Sequence, residues 1–547
     1  MKRLTAKLFI ALTATLPLVS CLDEHPRDQV NENEIYNSAN GIYVNAVATL
    51  YNYIGGSEES EGLQGTCRGI YDYNTLTTDE AIIPIRGGDW YDGGYWNAMF
   101  QHRWSPEDEP LYNTWKYLFR SIVLCNNSLD IIQKHAAVLT TDQQQDYRNE
   151  VRAVRALFYY YAMDMFGRIP LVVSETEQQA NPQLQKTQAE RSEVFRFVYD
   201  ELLQVVPDLT EEHSNNEGDY YGRMTAPVVY FLLAKLALNA EIYTYDDWAN
   251  GYDNRPDGKL IYLDTDDGRK LNAWEACIYY CERLKEMGYK LEADYGFNFS
   301  VHNETSAENI FTIPMDKNFY SAQFHYLFRS LHYVHAAALG RGGENGTCAT
   351  RSTMWANHYG QDDQDNRCSY NFEAGTVNVD GKDVVLDNGE TLAYLPFVVE
   401  QNLTNSPYIK TAGARMKKYQ TDRNAYMDGK LQSNDIVLFR YADALLMEAE
   451  AKARNGQDGA AEMNAVRSRV HMPEREATLD NILEERLLEL VWEGWRRQDL
   501  VRFGKFTDSY DIREALQGEE SGYTTVFPIP HKYIYLNPAL KQNTGYE

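Results

Sequence analysis

Leu438-Phe439-Arg440-Tyr441-Ala442-Asp443-Ala444-Leu445-Leu446, followed by Ala449-Glu450-Ala451, is the stretch on which the fold turns. From Asn434 to Arg454 its apolar residues recur every three or four positions, the period of one helix face, and Gly456 stands where such a helix would stop. Small alanines mixed with leucines and aromatic rings suit a helix pressed closely against other helices. The same composition returns in Ala153 to Ala162 and in Ala234 to Ala240. Outward from this stretch, the same spacing predicts helices over Leu111 to Ile132, Tyr147 to Phe166, Arg191 to Val206, Ala226 to Tyr243, Ala273 to Met287, Ala460 to Val470 and Leu479 to Val501. Thr225-Ala226-Pro227 supplies a capping hydroxyl and an early proline, and Gly167 follows Phe166 as a stop. The expected fold is mainly α, a scaffold of stacked helical hairpins. Between the helices, residues 52–105 and 288–433 read as long loop-rich insertions holding a few short strands, such as Asn309 to Ile313 and Val384 to Leu386.

The 547 residues carry 80 acidic and 52 basic side chains, a formal charge of −28. That balance speaks against a nucleic-acid partner, which needs clustered Lys and Arg. An apolar content of 44% is enough for a packed core and excludes wholesale disorder. Forty-one tyrosines, 9 Trp and 20 Phe exceed what packing alone requires, and such rings suit surfaces with one wet edge. At the start, Lys2, Arg3 and Lys7 precede an apolar run from Leu8 to Val19, too short to span a bilayer but long enough for a signal-peptide core. Residues 1–20 are read as a signal peptide. Leu18-Val19-Ser20-Cys21 resembles a bacterial lipobox, which implies cleavage before Cys21 and lipid attachment to its thiol. Of the six later cysteines, Cys348 and Cys368 flank a polar loop that would let them bridge, with buried free thiols as the default.

Nucleotide and hydrolase motifs are missing: there is no Gly-x4-Gly-Lys-Ser/Thr, His-Glu-x-x-His or Gly-x-Ser-x-Gly. His325, His332 and His335 fit no zinc spacing, so neither metal nor cofactor is expected. Glu493 and Arg497 read as an i,i+4 ion pair and Asp499 with Arg502 as another, charges that hold a scaffold without forming a catalytic centre.

Taken together in their order, the motifs resemble the SusD/RagB family of outer-membrane nutrient-binding lipoproteins. Arg152-Ala153-Val154-Arg155-Ala156-Leu157-Phe158-Tyr159-Tyr160 with Phe166-Gly167-Arg168-Ile169-Pro170 is similar to the family's Arg-Ala-aromatic helix and Tyr-Gly-x-(Val/Ile)-Pro turn. The Leu438 stretch looks like its Leu-Arg-Tyr-Ala-Asp-x-Leu-Leu helix. Glu485-Arg486, Glu489-Leu490, Glu493-Gly494, Arg496 and Asp499-Leu500 follow a third motif. The tail, Phe527-Pro528-Ile529-Pro530 and Gln542-Asn543-Thr544-Gly545-Tyr546, matches the family ending except for Thr544 in place of proline, and Asp365-Asn366-Arg367 is a weaker match. The resemblance spans essentially the whole chain. It implies four tetratricopeptide-like helix pairs in one compact unit over 21–547, with an N-terminal part at 21–225, central helices at 226–287 and a C-terminal part at 288–547. It also implies a lid on a SusC-like TonB-dependent transporter barrel, lipid-anchored and facing the exterior, that captures glycan or sometimes peptide.

A glycan is gripped by flat rings under its C–H faces and planar polar groups at its hydroxyls. The stretch from Arg86 to Trp96 suits this, because two Gly-Gly pairs bracket Asp89-Trp90-Tyr91-Asp92. It follows Asp79-Glu80, the landmark after which family members often carry a sugar-stacking ring. Trp90 leads the candidates, with Arg86 and Asp89 as hydrogen-bonding groups and Tyr91 and Trp96 as further rings. Trp96, Phe100 and Trp104, four apart, read equally as the start of a buried helix. Tyr295, Phe319, Tyr320, Tyr333 and Trp355 are the other candidates, around and after the Asn309 strand. The expected function is non-catalytic glycan capture and delivery to the barrel. The alternatives are peptide or glycopeptide capture and, behind it, a surface glycoside hydrolase.

Overall fold

The computed structural model describes residues 32–64, 66–173, 187–318, 325–425 and 430–547. The signal-like stretch, Cys21, Phe319 and Tyr320 lie outside the described residues. The fold is mainly helical. Its principal helices are α1 (Glu109–Lys134), α2 (Thr141–Phe166), α3 (Arg191–Val205), α4 (Ala226–Leu238), α5 (Ala273–Glu286), α6 (Tyr441–Asn455), α7 (Ala460–Arg469), α8 (Leu479–Leu490) and α9 (Arg496–Arg502). Their ends obey local chemistry. Thr140 and Gln143 close a reciprocal capping box on α2, Asn272 and Glu275 do the same on α5, and Gly456 ends α6 in the left-handed region at φ 84°.

The helices pack pairwise: α1 on α2, α2 on α3, α4 on α5, then α6 on α5, α7 and α8. The alanines permit this closeness. Ala153, Ala156, Ala162, Ala234, Ala237, Ala442, Ala444, Ala449 and Ala451 are all fully buried. Every residue of α4 is buried, Lys235 included. Its ammonium group lies 2.9 Å from Asp443 and 3.7 Å from the Trp495 ring centre, an ion pair roofed by an aromatic face. Among the described residues no helix is long and apolar enough to cross a membrane.

Several expectations need correction. Residues 436–440 are strand, not helix: β2 (Ile436–Arg440) pairs antiparallel with β1 (Asn309–Ile313), Ile436 opposite Ile313. All five residues of β2 are buried, so the run lacks the alternation that marks a half-exposed strand and mimics a helix face. The run from Leu479 to Val501 is two helices, because the chain turns between them through Trp492 (φ 69°) and Gly494 (φ 76°). That turn also separates Glu493 from Arg497. Glu493 pairs with Lys418 and Arg440, and Arg497 with Asp164, so the expected i,i+4 pair does not form. Asp499 and Arg502 do pair, at 2.7 Å. The Ala226 to Tyr243 run likewise breaks at Asn239. Val384 to Leu386 forms only an isolated bridge, Val385 to Thr391.

The charged motif residues build a buried lattice. Arg440 reaches Glu489 at 2.5 Å, Glu493 at 2.7 Å and Glu308 at 2.8 Å, while Arg367 holds Glu485 at 2.7 Å and Glu489 and Asp365 at 2.8 Å. Arg469 adds Glu308 and Glu489, and Arg467 adds Glu485. With Lys418, five cations face five carboxylates, so the lattice is neutral. It clamps β2, α7, α8 and the Asp365–Arg367 turn together. The six cysteines after Cys21 are free and buried, Cys348 in a strand pair with Ile82 and Cys368 heading a short helix.

Candidate functional site

The loop after Ile85 is tethered to residues 401–403: Ile85 N–H donates to Gln401 and its carbonyl accepts from Leu403 N–H. Arg86 and Asp89 then exchange backbone hydrogen bonds across Gly87-Gly88, closing a tight turn. Beyond it, Trp90 (φ 63°) and Asp92 (φ 40°) both sit in the left-handed region. Each such residue costs on the order of 1 kcal/mol unless its surroundings compensate. They do. Trp90 Nε1–H donates to the Glu344 carbonyl at 2.9 Å, and Asp92 accepts from Trp96 Nε1 at 2.7 Å and from Arg68 at 2.8 Å. The half-buried Trp90 ring lies across Gly346 and meets Trp96 edge-on at 5.9 Å. A Cβ on Gly346 would stand 2.7 Å from that indole. Gly346→Ala is therefore expected to expel Trp90 from its seat, read as a red shift in tryptophan emission; an unchanged spectrum would mean the ring re-seats.

With Trp90 pinned, Tyr91 projects into solvent at 59% exposure. Asp89, also exposed, accepts the Tyr333 hydroxyl at 2.7 Å, and Tyr333 is itself 45% exposed on a short helix from the other insertion, Tyr333–Ala338. Burial and Asp89 together raise the Tyr333 phenol to about 12, so it stays a hydrogen-bond donor. Tyr408, exposed on the loop whose Ile409 abuts Gly87, is a ring the sequence did not single out; its Asn-Ser-Pro-Tyr turn was the available signal. On the other side of Asp92 a cleft of about 450 Å³ is lined by Glu59, Arg68, Tyr95 and Asn113. Tyr91, exposed two residues on from the Asp89–Tyr333 hydrogen bond, makes with that pair an exposed shelf beside a polar cleft.

Other candidates point inward. Arg86 is buried, its guanidinium donating to the carbonyls of Gly346, Ile409 and Ala412, so it braces the loops and presents no free fork. Trp96 is in the core, as the helical alternative had it, on the short helix Tyr95–Phe100. Tyr295 is buried too, its hydroxyl donating to Asn371 beneath the ionic lattice. Trp355 is 52% exposed and stacks on Phe397 at 6.5 Å, a second exposed ring pair.

Behind Tyr333, the inner face of its helix carries His332 and His335 against Tyr394 and Arg415. Burial, then the neighbouring Arg415, lowers both imidazoles to about 4, so they are neutral near pH 7. The folded state refuses protons that the unfolded chain accepts below about pH 6.5, so this contribution to stability is full at neutral pH and is lost as pH falls toward 4. His335→Gln is expected to remove about 1–2 kcal/mol of the stability difference between pH 7 and pH 4.5, measured by urea unfolding. Equal pH slopes in variant and wild type would contradict it. Among the described residues no cluster of His, Cys, Asp and Glu could hold a metal.

Two family models match the chain. One, described as starch-binding associating with outer membrane, matches residues 74–238, and the other, the SusD family, matches residues 363–546. The starch-binding protein SusD of Bacteroides thetaiotaomicron is 25% identical over 89% of this chain and 87% of its own. The chain belongs to the SusD family. Solved structures of SusD type share its fold. Surface glycan-binding protein A of Bacteroides thetaiotaomicron, in complex with laminarihexaose, is 19% identical with a TM-score of 0.68, covering 92% of this chain and 99% of its own. A SusD-like carbohydrate-binding protein of Bacteroides fragilis is 18% identical with a TM-score of 0.69 over 93% of this chain and 100% of its own. Both matched models lie on helices described above: the first spans α1 to α4, the second α6 to α9.

Proposed function

We propose that this SusD-family protein is a non-catalytic glycan-binding lipoprotein of the outer membrane. It captures oligo- or polysaccharide at the cell surface, anchored through Cys21, and delivers it to a SusC-like TonB-dependent transporter on which it acts as lid. The observation that carries this reading is the shelf of Tyr91, Asp89 and Tyr333, held outward by a loop whose strained residues are each tied down. Exposed phenol rings near a carboxylate suit the C–H faces and hydroxyl edges of a sugar chain. A loop rigid before the ligand arrives loses little entropy on binding. Trp90 contributes its exposed edge and sets the position of Tyr91. The relatives named as starch-, glycan- and carbohydrate-binding proteins support the ligand class. Trp355 with Phe397, and Phe319 and Tyr320, are further ring candidates.

Calorimetry against a panel of starch, laminarin and other neutral glucans tests the proposal, with Trp90→Ala as the variant. Trp90→Ala is expected to weaken binding at least tenfold, since it removes a ring and frees the loop that carries Tyr91. Unchanged affinity would remove Trp90 from the site. Competition by peptides for the same site would favour peptide capture, and new reducing ends on incubation with the bound glycan would make the protein a hydrolase.

A further inference from the structure

A second cavity, away from the shelf, lies between the first turn of α3, residues 242–255 and residues 501–525, with a volume of about 50 Å³. That is room for three or four waters or for one small oxyanion. Two guanidinium groups line it. Arg191 is 1% exposed and donates through one Nη to the Tyr245 carbonyl, while its Nε–H has no acceptor among the described residues. Arg255 donates only to the carbonyls of Tyr252, Val501 and Arg502. Among the described residues neither arginine has a carboxylate within ion-pair distance, in a chain of charge −28 where the fully buried Arg329, Arg440, Arg502 and Arg513 are each paired with one. The Trp248 indole also lines the cavity, buried beneath Arg191 with the guanidinium 4.8 Å from its ring, and its Nε1–H has no acceptor among the described residues either. Glu520, on the exposed rim, is the one carboxylate among the lining residues. Asp246 is engaged elsewhere, taking the backbone N–H and the hydroxyl of Ser192.

Buried donors without acceptors and buried cations without counter-charge are both costly, and one anion removes both costs at once. Thr507 adds a hydroxyl to the lining, while that of Thr525 donates to the Gly522 carbonyl. From the cavity, its two guanidiniums without a carboxylate in contact and the unsatisfied Arg191 and Trp248 donors, we infer that this is a binding site for a small oxyanion: a free sulfate or phosphate, or the carboxylate of an acidic sugar. Burial lowers both guanidiniums to about 10, outweighing the more distant Asp246 and Asp164 at Arg191 and Glu241 at Arg255, and an anion in the cavity would reverse the shift.

The test uses the whole chain in thermal-shift and calorimetric titrations with sodium sulfate, sodium phosphate and sodium glucuronate, against sodium chloride at equal ionic strength and against neutral glucose. Wild type is expected to show saturable stabilisation by at least one oxyanion and none by glucose. Trp248→Phe keeps the ring and deletes the indole donor. Its unfolding midpoint in chloride should match wild type, and its oxyanion Kd should rise about tenfold. Arg191→Met should abolish the binding, with circular dichroism reporting whether it has folded. Sulfate or phosphate without glucuronate identifies a free inorganic oxyanion, and glucuronate binding identifies a carboxylated sugar. No saturable binding of any of the three, or equal Kd values in wild type and Trp248→Phe, overturns the inference.

Discussion

Glu489→Ala is expected to cost about 3–5 kcal/mol of unfolding free energy, the typical penalty for leaving buried partners of an ion pair uncompensated. Glu489 is fully buried and touches Arg367, Arg440 and Arg469. Burial pushes its carboxyl up, but Arg469, Arg440 and Arg367 more than offset this and hold it well below the usual carboxylate range. Removing it leaves the neutral lattice one charge in excess, at the point where β2, α7 and α8 meet. The control lies on the same helix: Glu484 pairs with Arg475 at the surface, and Glu484→Ala should cost no more than about 1 kcal/mol. Urea midpoints at pH 7 measure both. The sign with pH follows from the lowered carboxyl. Its stabilisation is fully present above the unfolded-state value of about 4.3 and is lost as pH falls through the folded-state value, so wild type and Glu489→Ala should converge in acid. A loss at pH 7 no larger than that of Glu484→Ala would mean the lattice contributes nothing beyond its surface equivalent.

The second large effect falls on binding. Tyr91→Ala and Tyr333→Ala should each weaken glycan affinity roughly fivefold to tenfold, and the double variant roughly thirtyfold to a hundredfold, because the two rings sit on separate segments, a loop and a short helix. Both side chains are largely solvated, so thermal stability should barely move. Tyr333→Phe separates the ring from its hydroxyl: it keeps the stacking face, loses the bond to Asp89, and should fall between wild type and Tyr333→Ala. The arginine beneath the loop should behave in the opposite way. Arg86→Ala would strip donors from three carbonyl groups and lower stability together with binding, the mark of a brace. Affinity indifferent to both tyrosines would move the ligand elsewhere, with Trp355 and Phe397 the next rings to substitute.

Much of the scaffold was legible in the linear chain. Apolar spacing located α1 to α8 to within a few residues at most ends, and alanine content marked which helices would touch. These are local properties, written in 3.6-residue periodicity and in caps such as Thr140 with Gln143. The order of the motifs along the chain is by itself enough to suggest the family. β2 was missed because a strand buried on both faces has no alternation to show, and the α8–α9 break because a turn through Trp492 carries no proline and only one glycine.

The site divided differently. Composition and glycine placement singled out the Arg86 to Trp96 loop, but eleven consecutive residues are not enough to say which rings face water. Trp90, Tyr91 and Trp96 are equivalent as letters; only the left-handed backbone at Trp90 and Asp92 and the carbonyl of Glu344, more than 250 positions away, seat one, release the second and bury the third. The joining of Asp89 to Tyr333 and of Glu493 to Lys418 and Arg440 is likewise a matter of segments distant in sequence meeting in space. Helix, cap and family could be read from the chain because their physics is local, whereas exposure and charge pairing depend on long-range contacts that exist only once the core has closed.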